Sequence, residues 1–134
     1  MKKQPAEILI VTRSVALQQG LEALLESLPG ITRVKAIHEL TNAYAWIESN
    51  LPGIVLVDAV LLDPDPKPDL EKIQAYSPET QRVLLVDDVQ SVDPASRCAE
   101  AILIKGIAPT MVAEIVSNLL LARGAEDEHN DSNP

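Results

Sequence analysis

The chain has 134 residues, enough for one domain with a real core, and at 46% hydrophobic and 23% charged it has the balance of a globular protein. Twenty acids against 11 bases give a net charge of −9, and there is no Phe, one Trp and two Tyr. Neither the clustered cations that grip a phosphate backbone nor the aromatic platforms that stack bases are available, so nucleic acid is excluded as a partner.

No apolar run approaches the ~20 residues that span a bilayer. The opening stretch MKKQPAEILIV has too short an apolar run for a signal peptide, so no membrane role and a cytoplasmic location are expected. The single cysteine, Cys98, rules out an intrachain disulfide or a cysteine-based zinc site and reads as a small, at least half-buried residue. His38 and His129 are far apart in sequence and read as surface residues.

EILIVT, from Glu7 to Thr12, is a short apolar run of the kind buried on both faces of a sheet. Ser14 can cap the helix that follows, in which Leu17, Leu21, Leu24, Leu25 and Leu28 recur at helical spacing until Pro29–Gly30 stops it. TRVKA, from Thr32 to Ala36, is a more polar strand suited to a sheet edge. A second helix starts at Thr41, carries Tyr44, Trp46 and Ile47 as packing residues, and ends at Leu51–Gly53.

IVLVD then runs from Ile54 to Asp58 as a buried strand, followed by the stiff loop DPDPKPD from Asp63 to Asp69 and a short helix from Leu70 to about Tyr76. QRVLLVDD, from Gln81 to Asp88, is a fourth strand, and one or two helical turns are expected at Pro94–Ala99. AILIK, from Ala101 to Lys105, is a fifth strand. Pro109 suits the first position of a last amphipathic helix, built on Val112, Ile115, Val116, Leu119 and Leu120 and ending near Arg123–Gly124. The remaining stretch carries four acids and no base, so residues 1–123 read as the domain and residues 124–134 as a disordered acidic tail.

Strands alternating with helices imply a parallel sheet covered on both faces, an α/β fold. The functional crevice of such a sheet lies outside the carboxyl ends of its strands. That rule selects Thr12 and Arg13 after the first strand, Asp58 at the end of the third, Asp87 and Asp88 after the fourth, and Lys105 after the fifth. The turn after the first strand, VTRSVALQQG, contains no G-x-G-x-x-G and no G-x-x-x-x-G-K, and the chain has no G-x-S-x-G. Dinucleotide binding, P-loop chemistry and serine hydrolysis are therefore set aside.

An aspartate after the third strand with a lysine after the fifth resembles the receiver domain of two-component response regulators, above all of the type with a helix-turn-helix output. The stretches that carry the resemblance are QQGLEALLESLPGI (Gln18 to Ile31), IVLVDAVL around Asp58, and LIKGIAPTMVAEIV (Leu103 to Val116), where a Pro stands four positions after the Lys. It covers about Glu7 to Arg123. It implies a flavodoxin-like three-layer sandwich with five parallel strands in the order 2-1-3-4-5.

It also implies a mechanism in which Asp58 accepts a phosphoryl group from a histidine kinase. Mg²⁺, held by two acids after the first strand, bridges acceptor and phosphoryl oxygens. Lys105 and a hydroxyl after the fourth strand bind the phosphoryl group and report it to the partner face.

Four positions depart from that pattern. Thr12 and Arg13 stand where the metal-binding acid pair is expected, Asp87 where the hydroxyl is expected, and Ile102 where an aromatic reporter is expected. Without the acids, a metal loses most of its anionic ligands. Asp87 would also face the phosphate, and two like charges about 4 Å apart repel by ~1 kcal/mol in water and ~4 kcal/mol at an effective dielectric of 20.

The reading is a divergent receiver, not an enzyme, that acts through protein contacts with weak or absent phosphorylation of Asp58. Arg13 is expected in place of Mg²⁺, pairing with Asp58 or Asp87 while Lys105 takes the other, to give a neutralised cluster. No cofactor is expected, except Mg²⁺ if the site still works. Two alternatives stand beside this reading: a working phospho-acceptor at Asp58, and a small metal-dependent enzyme using Asp58 and Asp87. Expected partners are a histidine kinase or output protein, or a second copy through the last helix, where Met111 and Leu121 lie off the core-facing stripe.

Overall fold

The structure is a computed structural model and describes residues 6–62, 65–88 and 99–132, the last ten of these by their backbone. Its elements in chain order are β1 (Ala6–Val11), α1 (Val15–Glu26), β2 (Ile31–Ile37), α2 (Leu40–Asn50) and β3 (Ile54–Asp58). A 3-10 turn (Ala59–Leu62), α3 (Lys67–Tyr76), β4 (Gln81–Val86), β5 (Ala101–Ile104) and α4 (Pro109–Ser132) follow. The five strands form one sheet in the order β2-β1-β3-β4-β5, every pair parallel. This is the flavodoxin-like arrangement expected from the sequence.

The strands are apolar on both sides because both sides are covered. On β1, Ile8 and Ile10 point to the layer made by α1 and α4, where they meet Leu21, Leu25, Val112 and Val116. Leu9 and Val11 point the other way, to Ala43, Ile47, Leu70 and Ile73 of α2 and α3. The alternation is that of any strand; the continuous apolar run is the mark of a strand with no wet face.

Two element ends differ from the sequence reading. The helix expected from Leu70 begins at Lys67, because Pro68 falls in its first turn, where the missing N–H has no partner to lose. The last helix continues past Gly124 to Ser132, over most of the stretch expected to be disordered. One interior glycine costs a helix only about 1 kcal/mol relative to alanine, and Ala and Glu follow it. The turns expected at Pro94–Ala99 fall, apart from Ala99, outside the described residues, as does Cys98.

One buried charge fixes the sheet at the end remote from the crevice. Arg82, the second residue of β4, is 7% exposed. Its guanidinium donates to Glu100, with Nε to Oε1 at 3.2 Å and Nη2 to Oε2 at 2.9 Å, and its Nη1 donates to the Leu70 carbonyl of α3 at 3.0 Å. A planar fork with all faces used is the arrangement in which a buried arginine is tolerated. It ties α3, β4 and the entry to β5 together.

Burial alone would raise the Glu100 carboxyl, but the hydrogen bonds and charge of Arg82 outweigh it and hold the group below its usual value of 4.5. A depressed carboxylate stabilises the fold fully above that value, and the contribution is lost as pH falls through the depressed value. Glu100→Gln should therefore lower unfolding stability at neutral pH by about 2 kcal/mol, less than for a fully buried pair because Glu100 is partly exposed. Urea melts from pH 7 to pH 3 check this: the difference between wild type and variant should shrink as the pH falls.

Candidate functional site

The carboxyl ends of β1, β3, β4 and β5 meet at one edge of the sheet and bring Thr12, Asp58, Asp87 and Lys105 together. Asp58 is the last residue of β3 and is 5% exposed. Lys105 follows β5 by one residue, and its backbone N–H still donates to Val86 at 2.8 Å, so the ladder itself delivers the lysine to the site. Its ammonium lies 2.6 Å from Asp58 Oδ1 and 3.2 Å from Asp87 Oδ1.

The other side of Asp58 is closed by Thr12. The Thr12 hydroxyl donates to Asp58 Oδ2 at 2.8 Å, and Thr12 is fully buried. The Val60 N–H donates to Asp58 Oδ1 at 3.1 Å. Both carboxylate oxygens are thus held by donors of the protein: one hydroxyl, one backbone amide and one ammonium. An ionised carboxylate only accepts, so this shell satisfies it where water does not reach.

Arg13 does not join the cluster. Its guanidinium pairs with Glu39, at the N-terminus of α2, at 3.2 Å, with both side chains more than half exposed. The expected pairing with Asp58 or Asp87 is corrected by parity: successive side chains of an extended chain point to opposite sides, and Thr12 takes the inward direction. The cluster of Asp58, Asp87 and Lys105 consequently carries net negative charge instead of being neutral. Asp87 stays on the surface, paired with Lys105 at 3.2 Å. Ile102 lies on β5, partly buried, and packs against the core shared with α2 and α3.

These groups do not suit Mg²⁺. A hard cation wants several free oxygen ligands, whereas both oxygens of Asp58 are occupied, Thr12 presents a proton, and the nearest charged neighbour is an ammonium. Among the described residues no group of three His, Cys, Asp or Glu side chains is placed to hold a metal ion.

Reasoning from the sequence did not find the Thr12 donor, although the alternation of β1 with the position of Asp58 was the signal for it. It also missed the Arg82–Glu100 clamp, which a lone Arg inside the apolar run QRVLLV could have flagged. Tyr44 packs as expected, its ring 5.8 Å from that of Tyr76, but its hydroxyl also donates to Asp69, and burial together with that carboxylate raises its pKa. Arg33 covers the ring of Trp46 at 5.4 Å.

No protein-family model matches the chain, and no curated protein matches it. Solved structures do. A CheY-like response regulator receiver domain from Methanospirillum hungatei is 22% identical with a TM-score of 0.78, covering 90% of this chain and 98% of the other. The signal receiver domain of an HD domain-containing protein from Pseudomonas fluorescens is 23% identical with a TM-score of 0.76, covering 96% and 95%. A LuxR family DNA-binding response regulator from Silicibacter pomeroyi is 21% identical with a TM-score of 0.74, covering 87% and 93%.

Burial alone would lower the Lys105 ammonium, but Asp58 and Asp87 outweigh it and raise the group above its usual value of 10.5. For a raised base, the stabilisation is complete below the usual value and is lost only as pH climbs through the raised one. The Lys105 pairing therefore persists across the neutral range. Lys105→Met leaves the Asp58 charge buried with two neutral donors, and should cost about 2–3 kcal/mol of unfolding free energy at pH 7. Chemical denaturation of the two proteins measures it, and the gap should narrow only in strongly alkaline buffer. Five parallel strands in this order, covered by helices on both faces and bringing Asp58 and Lys105 to one edge, have the fold of a response regulator receiver domain.

Proposed function

We propose that the chain is a divergent receiver domain of two-component signalling, a cytoplasmic interaction module and not an enzyme, in which Asp58 is phosphorylated weakly or not at all. The observation that carries this reading is the shell of chain donors around Asp58: Thr12 on Oδ2, Lys105 and Val60 on Oδ1. To attack phosphorus, Asp58 would have to give up a hydrogen bond in a buried setting. The incoming group would also meet the Asp87 carboxylate where a hydroxyl donor would help it. Signalling then rests on protein contacts, with a kinase, an output protein or a second copy. Met111 and Leu121 of α4 support such a surface, since both are large, apolar and about half exposed or more.

One observation favours the alternative of a working acceptor: the Lys105–Asp58 pair is intact at 2.6 Å. Incubation with Mg²⁺ and a small phosphodonor, followed by intact-mass measurement, separates the two. The proposed reading expects at most a trace of the singly phosphorylated species. A stoichiometric phosphoryl adduct that disappears in Asp58→Ala would overturn it.

A further inference from the structure

We infer that Thr12 is the specificity-determining residue that closes this site to divalent cations, its hydroxyl proton taking the place of a cation on Asp58 Oδ2. The inference deepens the proposed function and rests on it for the site's role, but it concerns metal binding alone.

The hydroxyl has one proton and is not free to choose where it goes. The Ser14 N–H donates to Thr12 Oγ1 at 3.1 Å, so the oxygen acts as an acceptor towards the chain. The remaining neighbour, Asp58 Oδ2 at 2.8 Å, is a carboxylate oxygen that only accepts. The Thr12 proton is therefore committed to Asp58, and full burial of Thr12 leaves no water to compete for it. The turn from β1 into α1 holds the arrangement, because Ser14 also caps the helix by accepting from the Leu17 N–H at 3.2 Å. The rotor is fixed by elements that form regardless of any ligand.

A cation approaching Asp58 from this side meets the positive end of an O–H dipole. From the other side it meets the Lys105 ammonium at 2.6 Å. Binding on either side would disturb one of these contacts, and Thr12 offers in return only a neutral hydroxyl oxygen that already accepts from Ser14, not an anionic ligand. Arg13 contributes little to the exclusion: it is exposed and spends its charge on Glu39. Thr12, the less conspicuous of the two substitutions, decides the outcome.

Mn²⁺ serves as the probe, and loss of its free-ion electron paramagnetic resonance signal reports binding to the full chain. Wild type, Asp58→Asn and Thr12→Asn should show the same weak, non-saturating uptake by the acidic surface. Thr12→Asn keeps an N–H donor at nearly the size of aspartate. Thr12→Asp replaces the donor by an acceptor, and should gain one saturable site at least about tenfold tighter than any in wild type, lost again when Asp58→Asn is added.

Three results overturn the inference: a saturable wild-type site that Asp58→Asn abolishes, a folded Thr12→Asp with no gain, or an equal gain in Thr12→Asn. Circular dichroism confirms folding. If Thr12→Asp does not fold, the comparison of wild type with Asp58→Asn decides alone. No phosphodonor is present, so a wild type that takes up phosphoryl groups yet binds no Mn²⁺ sinks the proposed function and leaves this inference standing. A wild type that binds Mn²⁺ at Asp58 yet stays unphosphorylated does the reverse.

Discussion

A buried carboxylate must be answered by donors, and everything distinctive about this molecule follows from which donors answer Asp58. The parallel sheet makes the demand. β3 is buried along its whole length and ends on an acid, so the charge arrives where water is scarce. Three strands supply the response: Thr12 from the end of β1, the Val60 amide beyond β3 itself, and Lys105 one residue past β5. The shell is made of the chain alone, and it puts a donor on each oxygen before any ligand arrives.

That shell shifts the energetics of the site. In a carboxylate with open lone pairs, a cation or phosphoryl group adds interactions. Here each oxygen already accepts from a donor of the chain, and a newcomer competes with a hydroxyl or an ammonium, each a hydrogen bond to an ionised group of about 1.5–3 kcal/mol. Against a phosphoryl group Asp87 pulls in the same direction, because it shares Lys105 and leaves the cluster net negative. The Arg82–Glu100 clamp supports this from the opposite end of the sheet by fixing the entry to β5 against β4. A strand anchored at its start delivers the residue after its end with little slack, which is what a 2.6 Å contact between Lys105 and Asp58 requires.

Much of this was legible in the residues. The strands announce themselves as apolar runs cut by Pro and Gly, and the strand-end rule alone placed Asp58, Asp87 and Lys105 at one edge. What the sequence could not resolve was side-chain direction and long-range pairing. Thr12 and Arg13 are neighbours, and the charged one looks more consequential. Just past β1, Thr12 turns to Asp58 and Arg13 to Glu39, 26 residues away on another element. Pro68 read as part of a loop, although a first helical turn accepts it equally well. Gly124 read as a helix end, although a single glycine is a modest penalty against the residues that follow.

On the function proposed above, the Asp58–Lys105 contact is a fixed internal pair and not a site waiting for phosphate and metal. A double-mutant cycle over Asp58→Asn and Lys105→Met, run by urea denaturation at pH 7 with and without Mg²⁺ and a small phosphodonor, measures it directly. A fixed pair gives a coupling of about 1–3 kcal/mol that is the same in both buffers. A coupling near zero, or one that collapses when Mg²⁺ and the donor are added, would contradict it.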